Sequence, residues 1–418
     1  MAAARLALLV VLALAGTARA AVDTCVACHV KLKDRELARQ VGEMEGDVHQ
    51  RAGLSCHSCH GGDPTVGMDD RFDSMDATKG YIGVFPPANA AAMCARCHAD
   101  AQAMARSTRN LPTSQWLEFK ASRHGQLTMS GDKRSATCSS CHRAHGVFEP
   151  GDPRSSVSPA HEPRTCGACH ADPKRVQKTD QLARYENSVH WRAARTAKDR
   201  SAPVCHDCHG SHAQVPHGLS SVEEACGKCH AMERQIFQRG AHVKKLGAGG
   251  CVKCHAEHDV QEASDRLLGA AGPCLQCHDK AGRARDMALE LAARLGALQG
   301  VVDRVSSDLA PMALKGIPTR ECEEALDQGL DELRTARRLV HTDSLTELKP
   351  ALDRAERALG EALRVTRAAA DERAGEEAEA RRVALLLAVL ALTFAIKAGA
   401  SWNARRVRRH RTTMRYQV

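Results

Sequence analysis

Residues 202–212 read Ala-Pro-Val-Cys-His-Asp-Cys-His-Gly-Ser-His. Cys205, His206, Cys208, His209 and His212 crowd into eight positions. Such a cluster suits a zinc site, a disulfide, a reactive thiol or a covalent attachment point. Each reading leads to a different fold, and the rest of the chain decides between them.

The same order recurs. Cys-x-x-Cys-His occurs at Cys25/Cys28/His29, Cys56/Cys59/His60, Cys94/Cys97/His98, Cys138/Cys141/His142 and Cys166/Cys169/His170. It continues at Cys205/Cys208/His209, Cys226/Cys229/His230, Cys251/Cys254/His255 and Cys274/Cys277/His278. These nine motifs use all the cysteines but one, Cys322, out of 19. Zinc sites and redox dithiols need the paired cysteines but not a histidine directly after every pair. Covalent attachment of c-type haem needs this order. Two thiols bond the porphyrin, and the next residue places an imidazole under the iron. The spacing therefore predicts nine haem c groups. Their proximal iron ligands would be His29, His60, His98, His142, His170, His209, His230, His255 and His278.

Around the motifs runs a longer repeat. A histidine precedes a first motif, a second follows three residues after that motif, and another motif closes the unit. The clear copies start at His124, His190 and His242, with trailing residues His145, His212 and His258. A diverged copy starts at His49 and has Gly61-Gly62-Asp63 where the trailing histidine should be. The motif at Cys25 stands alone in front. Histidine in the sixth position closes an iron for electron transfer, whereas an open position allows catalysis. The distal candidates are His49, His124, His145, His190, His212, His242 and His258, with His161 next and His217 and His341 weaker. Most centres should be bis-His. One haem, at His29 or His60, is left short of a ligand. His57 and His206, between paired cysteines, read as incidental.

Composition agrees. Only 3% of the 418 residues are aromatic, a poor supply for a conventional apolar core. Nine motifs fall within residues 21–280, too densely for each to build its own core. The fold expected there is mainly α and irregular, with haems as the core and short helices around the motifs. Residues 6–15 form an apolar run behind Arg5 and ahead of Ala18-Arg19-Ala20. This reads as a signal peptide over residues 1–20, since ten apolar residues are too few to span a bilayer. Residues 383–402 hold one charge, Lys397, and are long enough to cross a membrane as a helix. The arginines at 405, 406, 408, 409, 411 and 415 follow, which sets the 403–418 tail in the cytoplasm and the bulk in the periplasm. Tail, leader and span together account for the formal charge of +9, so a basic nucleic-acid surface is not supported.

Residues 281–382 switch to helix formers. Met287, Leu291, Leu295, Leu298, Val302, Val305 and Leu309 recur at helical spacing, with breaks expected at Pro311, Gly316 and Pro318. Leu326, Leu330, Leu333 and Val340 mark a second helix with Thr319 as its N-cap. Leu352, Leu359 and Leu363 mark a third, starting near Ser344 and running into the span, although Pro350 blurs its boundary. This reads as a helical hairpin or bundle, or else a coiled-coil dimerisation stalk. Cys322 reads as a buried thiol.

The stretches SVHWRAARTAKDRSAPVCHDCHGSH and GAHVKKLGAGGCVKCHAEH resemble bacterial periplasmic multihaem cytochromes c of the class III-like, bis-His type. The stretches CHGGDPT, KGYIGVFPP and CARCHAD are similar to a membrane-anchored branch with one C-terminal span. The resemblance implies respiratory electron transfer on the periplasmic side of the bacterial inner membrane. It also implies a membrane cytochrome b or other quinone-linked partner, and periplasmic acceptors or other c-type cytochromes. Two alternatives stay open: a quinol dehydrogenase subunit, and a nitrite, hydroxylamine or tetrathionate type of reductase with one open haem.

Overall fold

The computed structural model describes residues 23–67, 72–106, 111–195, 201–247 and 249–413, and side chains up to 408 except 87 and 88. The expected leader lies outside the described residues, as do the side chains at the end of the basic tail. Helices alone appear among the described residues; there is no strand. The chain forms two compact units.

The first unit comprises the described part of Met1–Cys229 together with Cys251–Glu262. It is a succession of short helices joined by turns. Every motif in it sits on one, as at Thr24–His29, Cys56–His60, Cys138–His142 and Cys205–His209. What starts these one-turn helices is local. Asp23 accepts from the amides of Cys25 and Val26. In three motifs the second residue between the cysteines reaches back to the amide just before the motif. Ser58 Oγ accepts from Ser55, Ser140 Oγ from Thr137, and an Asp207 oxygen from Val204 at 2.7 Å. This is the returning half of a capping box. Among the described residues the unit buries few apolar side chains, among them Ala91, Pro163, Val204 and Ala225. Its buried groups are mostly polar, including Asp47, Ser155, Glu162 and Ser188.

The second unit, His230–Gly250 with Ala263–Val418, has an ordinary core. Three long helices build it: α1 (Arg283–Leu314), α2 (Arg320–Leu339) and α3 (Leu345–Thr413). Leu295 and Val305 from α1, Leu333 and Ala336 from α2, and Leu352, Ala355 and Leu359 from α3 are all buried between them. Gly329 lets α2 approach α3, because a Cβ there would meet Leu359 Cδ2 at 2.5 Å. The ninth motif, on the helix Pro273–Cys277, belongs to this unit, and Cys274 packs against the bundle core.

Two sequence expectations, the helix break at Pro311 and the Thr319 cap, need adjusting. Helix α1 runs through Pro311 to Leu314 and α3 runs through Pro350. A proline removes one helical hydrogen bond, and here buried neighbours, Met312 beside one and Leu348, Ala351 and Leu352 beside the other, hold the helix together. Thr319 occupies the N-cap position of α2, but its hydroxyl donates to Glu323 at 2.7 Å and caps no amide. Cys322 is buried in the bundle as a free thiol.

Past Thr366, α3 has no buried residue among the described side chains. One 18-residue window has mean hydropathy 2.2 and is wholly exposed, so α3 is long and apolar enough to cross a membrane.

Candidate haem-binding centres

The structure brings histidines from the motifs against histidines from outside them. Such ring pairs include the following six. His49 faces His98 and His60 faces His145, both with centroids 6.2 Å apart. His124 faces His170 at 6.1 Å and His142 faces His212 at 6.0 Å. His209 faces His258 at 5.8 Å and His242 faces His278 at 6.0 Å. Two imidazoles bound end-on to one metal at about 2 Å per bond put their centroids about 6 Å apart. Aromatic contacts in general scatter over about 4.5–7 Å, so the narrow spread and the constant motif-to-non-motif pairing carry the weight.

Two rules organise the pairs. Where the partner lies upstream in its own repeat (His49, His124, His242), it meets the histidine of that repeat's second motif. These rings cross at 82°, 67° and 66°. Where the partner trails a first motif (His145, His212, His258), it meets the first motif of the preceding repeat. These rings lie near parallel, at 24°, 16° and 13°. The diverged repeat thus gives His60 a partner from the next repeat. The residue three after His60 is Asp63 rather than a trailing histidine, and the motif before it is that of His29. Among the described residues no imidazole pairs with His29.

Several Nδ1 atoms are engaged in hydrogen bonds, leaving Nε2 to face a metal. His60 Nδ1 lies 2.8 Å from the Gly83 carbonyl, and His242 Nδ1 lies 2.7 Å from Asp343. His49 Nδ1 lies 3.1 Å from buried Asp47. Burial pushes the pKa of His98, His124, His142, His145, His209, His212 and His258 below the ordinary imidazole value. Neutral rings are the form that binds metal.

The remaining candidates are placed differently. His161 Nδ1 lies 3.1 Å from the Ser155 carbonyl, His217 Nε2 3.2 Å from Glu118, and His341 Nδ1 2.9 Å from the Arg338 carbonyl. His190 stands on the helix Val189–Arg195 at the place His124 and His242 hold in their repeats. Of the other motif histidines, His230 directly precedes the helix Ala231–Phe237, and His255 ends the helix Cys251–His255. His206, incidental by sequence, has a defined role. It bonds buried Glu162 through its amide at 2.7 Å and through Nδ1 at 2.6 Å. Nothing in the local sequence flags this bond, which spans 44 residues.

No disulfide joins the cysteines. The thiols of Cys94 and Cys138 are in hydrogen-bond contact, as are Cys166 with Cys205 and Cys226 with Cys251. Between these junctions Cys59 lies within electrostatic reach of Cys94 and Cys97, Cys141 of Cys166 and Cys169, and Cys208 of Cys229. Cys25 and Cys56 are neighbours in the same sense. The first eight motifs therefore adjoin one another in chain order. The junctions alternate between first cysteines touching and a second cysteine meeting the next motif. Cys28 and Cys254 are the second cysteines of the first and last motifs in this series. The sequence assigns each a thioether to haem; in the structure each is a thiol in no disulfide, directly before its motif histidine. Cys28, on the helix Thr24–His29, is half-buried, whereas Cys254, on the helix Cys251–His255, is exposed. Every first cysteine of a motif is half-buried against its neighbours, while the second cysteines Cys59, Cys97, Cys229, Cys254 and Cys277 sit on the open side.

Burial, with Asp23 second, holds the Cys25 thiol up at about 12, and burial raises Cys141 to about 11. Neither is a reactive thiolate at neutral pH. Glu162, Cys166 and Cys205 place ligand atoms within 4.8 Å of one another. The Glu162 carboxylate is already satisfied by His206, and both cysteines belong to motifs.

These features fit a multihaem c-type cytochrome: helical motifs for covalent attachment, imidazole pairs, and a unit short of apolar core. The chain is similar to a protein of that class, the Multiheme cytochrome MtrA of Shewanella baltica (strain OS185). The two are 26% identical over 294 residues, which is 62% of this chain and 77% of that protein. No protein-family profile and no solved structure matches the chain.

Proposed function

We propose that the chain is a membrane-anchored periplasmic cytochrome with nine covalent haems that carries electrons between a quinone-linked membrane partner and periplasmic acceptors. The observation that carries this reading is the pairing of a motif imidazole with a second imidazole near 6 Å in six places. Each motif's cysteines would hold a haem by thioethers, and its histidine would bind the iron. Cys28 with Cys25, and Cys254 with Cys251, would do so for the first and eighth haems. His49, His124, His145, His212, His242 and His258 would close the far side of six irons. His190 takes the same role in its repeat. Bound haem would supply one-electron chemistry, and these histidines would leave the irons they close no open coordination site. The few apolar side chains buried in the first unit fit porphyrins as its core. Motifs adjoining in chain order supply a continuous path.

Residues 383–402 would span the inner membrane, with the arginine tail in the cytoplasm. The partners proposed are a cytochrome b or similar quinone-linked subunit and soluble c-type cytochromes. Intact mass and haemochrome spectra of the purified holoprotein should give nine haems. EPR with a redox titration should show mainly low-spin iron. A mostly high-spin spectrum would overturn this reading.

One observation favours a second reading, a reductase with one open haem. Asp63 stands where the other repeats carry the histidine that closes the preceding first motif. Under that reading the haem of His29 binds carbon monoxide when reduced and turns over nitrite or hydroxylamine. Absence of both rejects it.

A further inference from the structure

Three of the distal rings, those of His49, His242 and His258, differ in what holds the Nδ1 side. His258 Nδ1 is buried with no hydrogen-bond partner. His49 faces Asp47, but that carboxylate is shared: it also accepts from the His49 amide at 2.7 Å and the Val147 amide at 2.6 Å. His242 is the exception. Both oxygens of Asp343 are turned to it, one at 2.7 Å from Nδ1 and the other at 3.2 Å from its amide.

The placement is built. Asp343 follows α2 and sits two residues before α3 with φ of 58°, a left-handed conformation that Asp and Asn tolerate better than other side chains. Gly240 permits the approach, since a Cβ there would meet the His341 carbonyl at 2.7 Å and an Asp343 oxygen at 2.9 Å. Asp343 also bears on the other side of the same centre. Burial first, and the Asp343 charge with it, raises the Cys274 thiol.

A carboxylate on the outer nitrogen of a metal-bound imidazole fixes the ring and makes it a stronger donor. A stronger donor and a nearby negative charge both favour the ferric over the ferrous iron, and so lower the potential. We propose that Asp343 is a positioning and charge-tuning residue that makes the His242–His278 centre the most reducing of the six paired centres. This rests on the bis-His haem reading given above. It places the most reducing paired centre at the root of the candidate membrane helix.

The test uses the full-length holoprotein. Wild-type mass after proteolysis reports whether Cys274 and Cys277 carry haem. If they do not, or if that iron is high-spin, the haem reading itself fails. With the haem in place, Asp343→Asn keeps the left-handed turn and removes the charge. In an EPR-monitored titration the most negative component should shift upward, by about 59 mV for each tenfold loss of ferric preference in a one-electron couple. The signal of one low-spin iron should change with it. An unchanged most-negative component, with nine haems retained, overturns the proposal. Asp343→Gly, which also accepts the backbone, guards against a peculiarity of asparagine. Loss of the ninth haem in both variants overturns it too, because Asp343 would then be only structural.

Discussion

His145 shows how a single residue acts away from its own motif. It trails Cys138–His142, yet its ring stands against His60, 85 positions earlier, while His142 takes His212. His145→Ala should therefore open the haem on Cys56 and Cys59 and leave the haem on Cys138 and Cys141 closed. One low-spin iron in nine should turn high-spin and bind carbon monoxide when reduced. Replacing Cys56 and Cys59 by serine in the same chain should erase that new signal. If removing Cys138 and Cys141 erases it instead, the pairing rule is wrong. The motifs and both kinds of extra histidine are legible in the sequence, because each has a fixed local spacing. The pairing is not. His60–His145, His142–His212 and His209–His258 join different repeats, and no local pattern encodes where a trailing side chain ends. Gly61 carries a similar long-range demand. At φ of 69° a Cβ would meet the Gly80 carbonyl at 1.9 Å, so the loop that offers Gly83 to His60 fixes a glycine there.

At the scale of elements, the two units are held by different physics. The bundle of α1, α2 and α3 follows the heptad-like spacing of its leucines, which is why its helices were readable. Helix ends near proline were not, since buried packing outweighs one lost hydrogen bond. Leu333 is fully buried between the helices, and Leu333→Ala should cost about 2–5 kcal/mol. Gly329→Ala should cost about 1–3 kcal/mol by overpacking against Leu359. Chemical denaturation followed by far-ultraviolet circular dichroism checks both, and the haem absorbance of the first unit should not change. In the first unit the Glu162–His206 bond ties the helix Glu162–His170 to the motif at Cys205. Glu162 raises His206 above its ordinary pKa, chiefly by that hydrogen bond. A raised histidine stabilises fully below its unfolded value of about 6.5 and loses the contribution as pH rises through the folded value. The stability lost in His206→Gln should therefore shrink between mildly acidic and mildly alkaline pH. A difference that grows with pH would contradict this assignment. His206 is partly exposed, so the effect is a modest one.

For the whole molecule, the continuity of α3 limits how electrons arrive. The helix begins at Leu345 beside Asp343, and its apolar stretch begins near residue 383. At 1.5 Å per residue that is about 57 Å of helix axis. If residues 383–402 cross the bilayer, the His242–His278 centre stands off from the first apolar turn by that length of continuous helix. A quinol held in the bilayer is then out of reach of direct electron transfer to this centre, and the proposed quinone-linked partner would carry the electron outward. Purified holoprotein in liposomes should stay oxidised when a lipid-soluble quinol is added. It should be reduced within seconds once membranes containing the proposed quinone-linked partner are fused in. Shortening α3 by whole turns between residues 367 and 382 should leave the isolated protein just as inert. Fast reduction by quinol in the full-length protein alone would mean that a haem lies at the membrane surface, and would restore the quinol dehydrogenase reading.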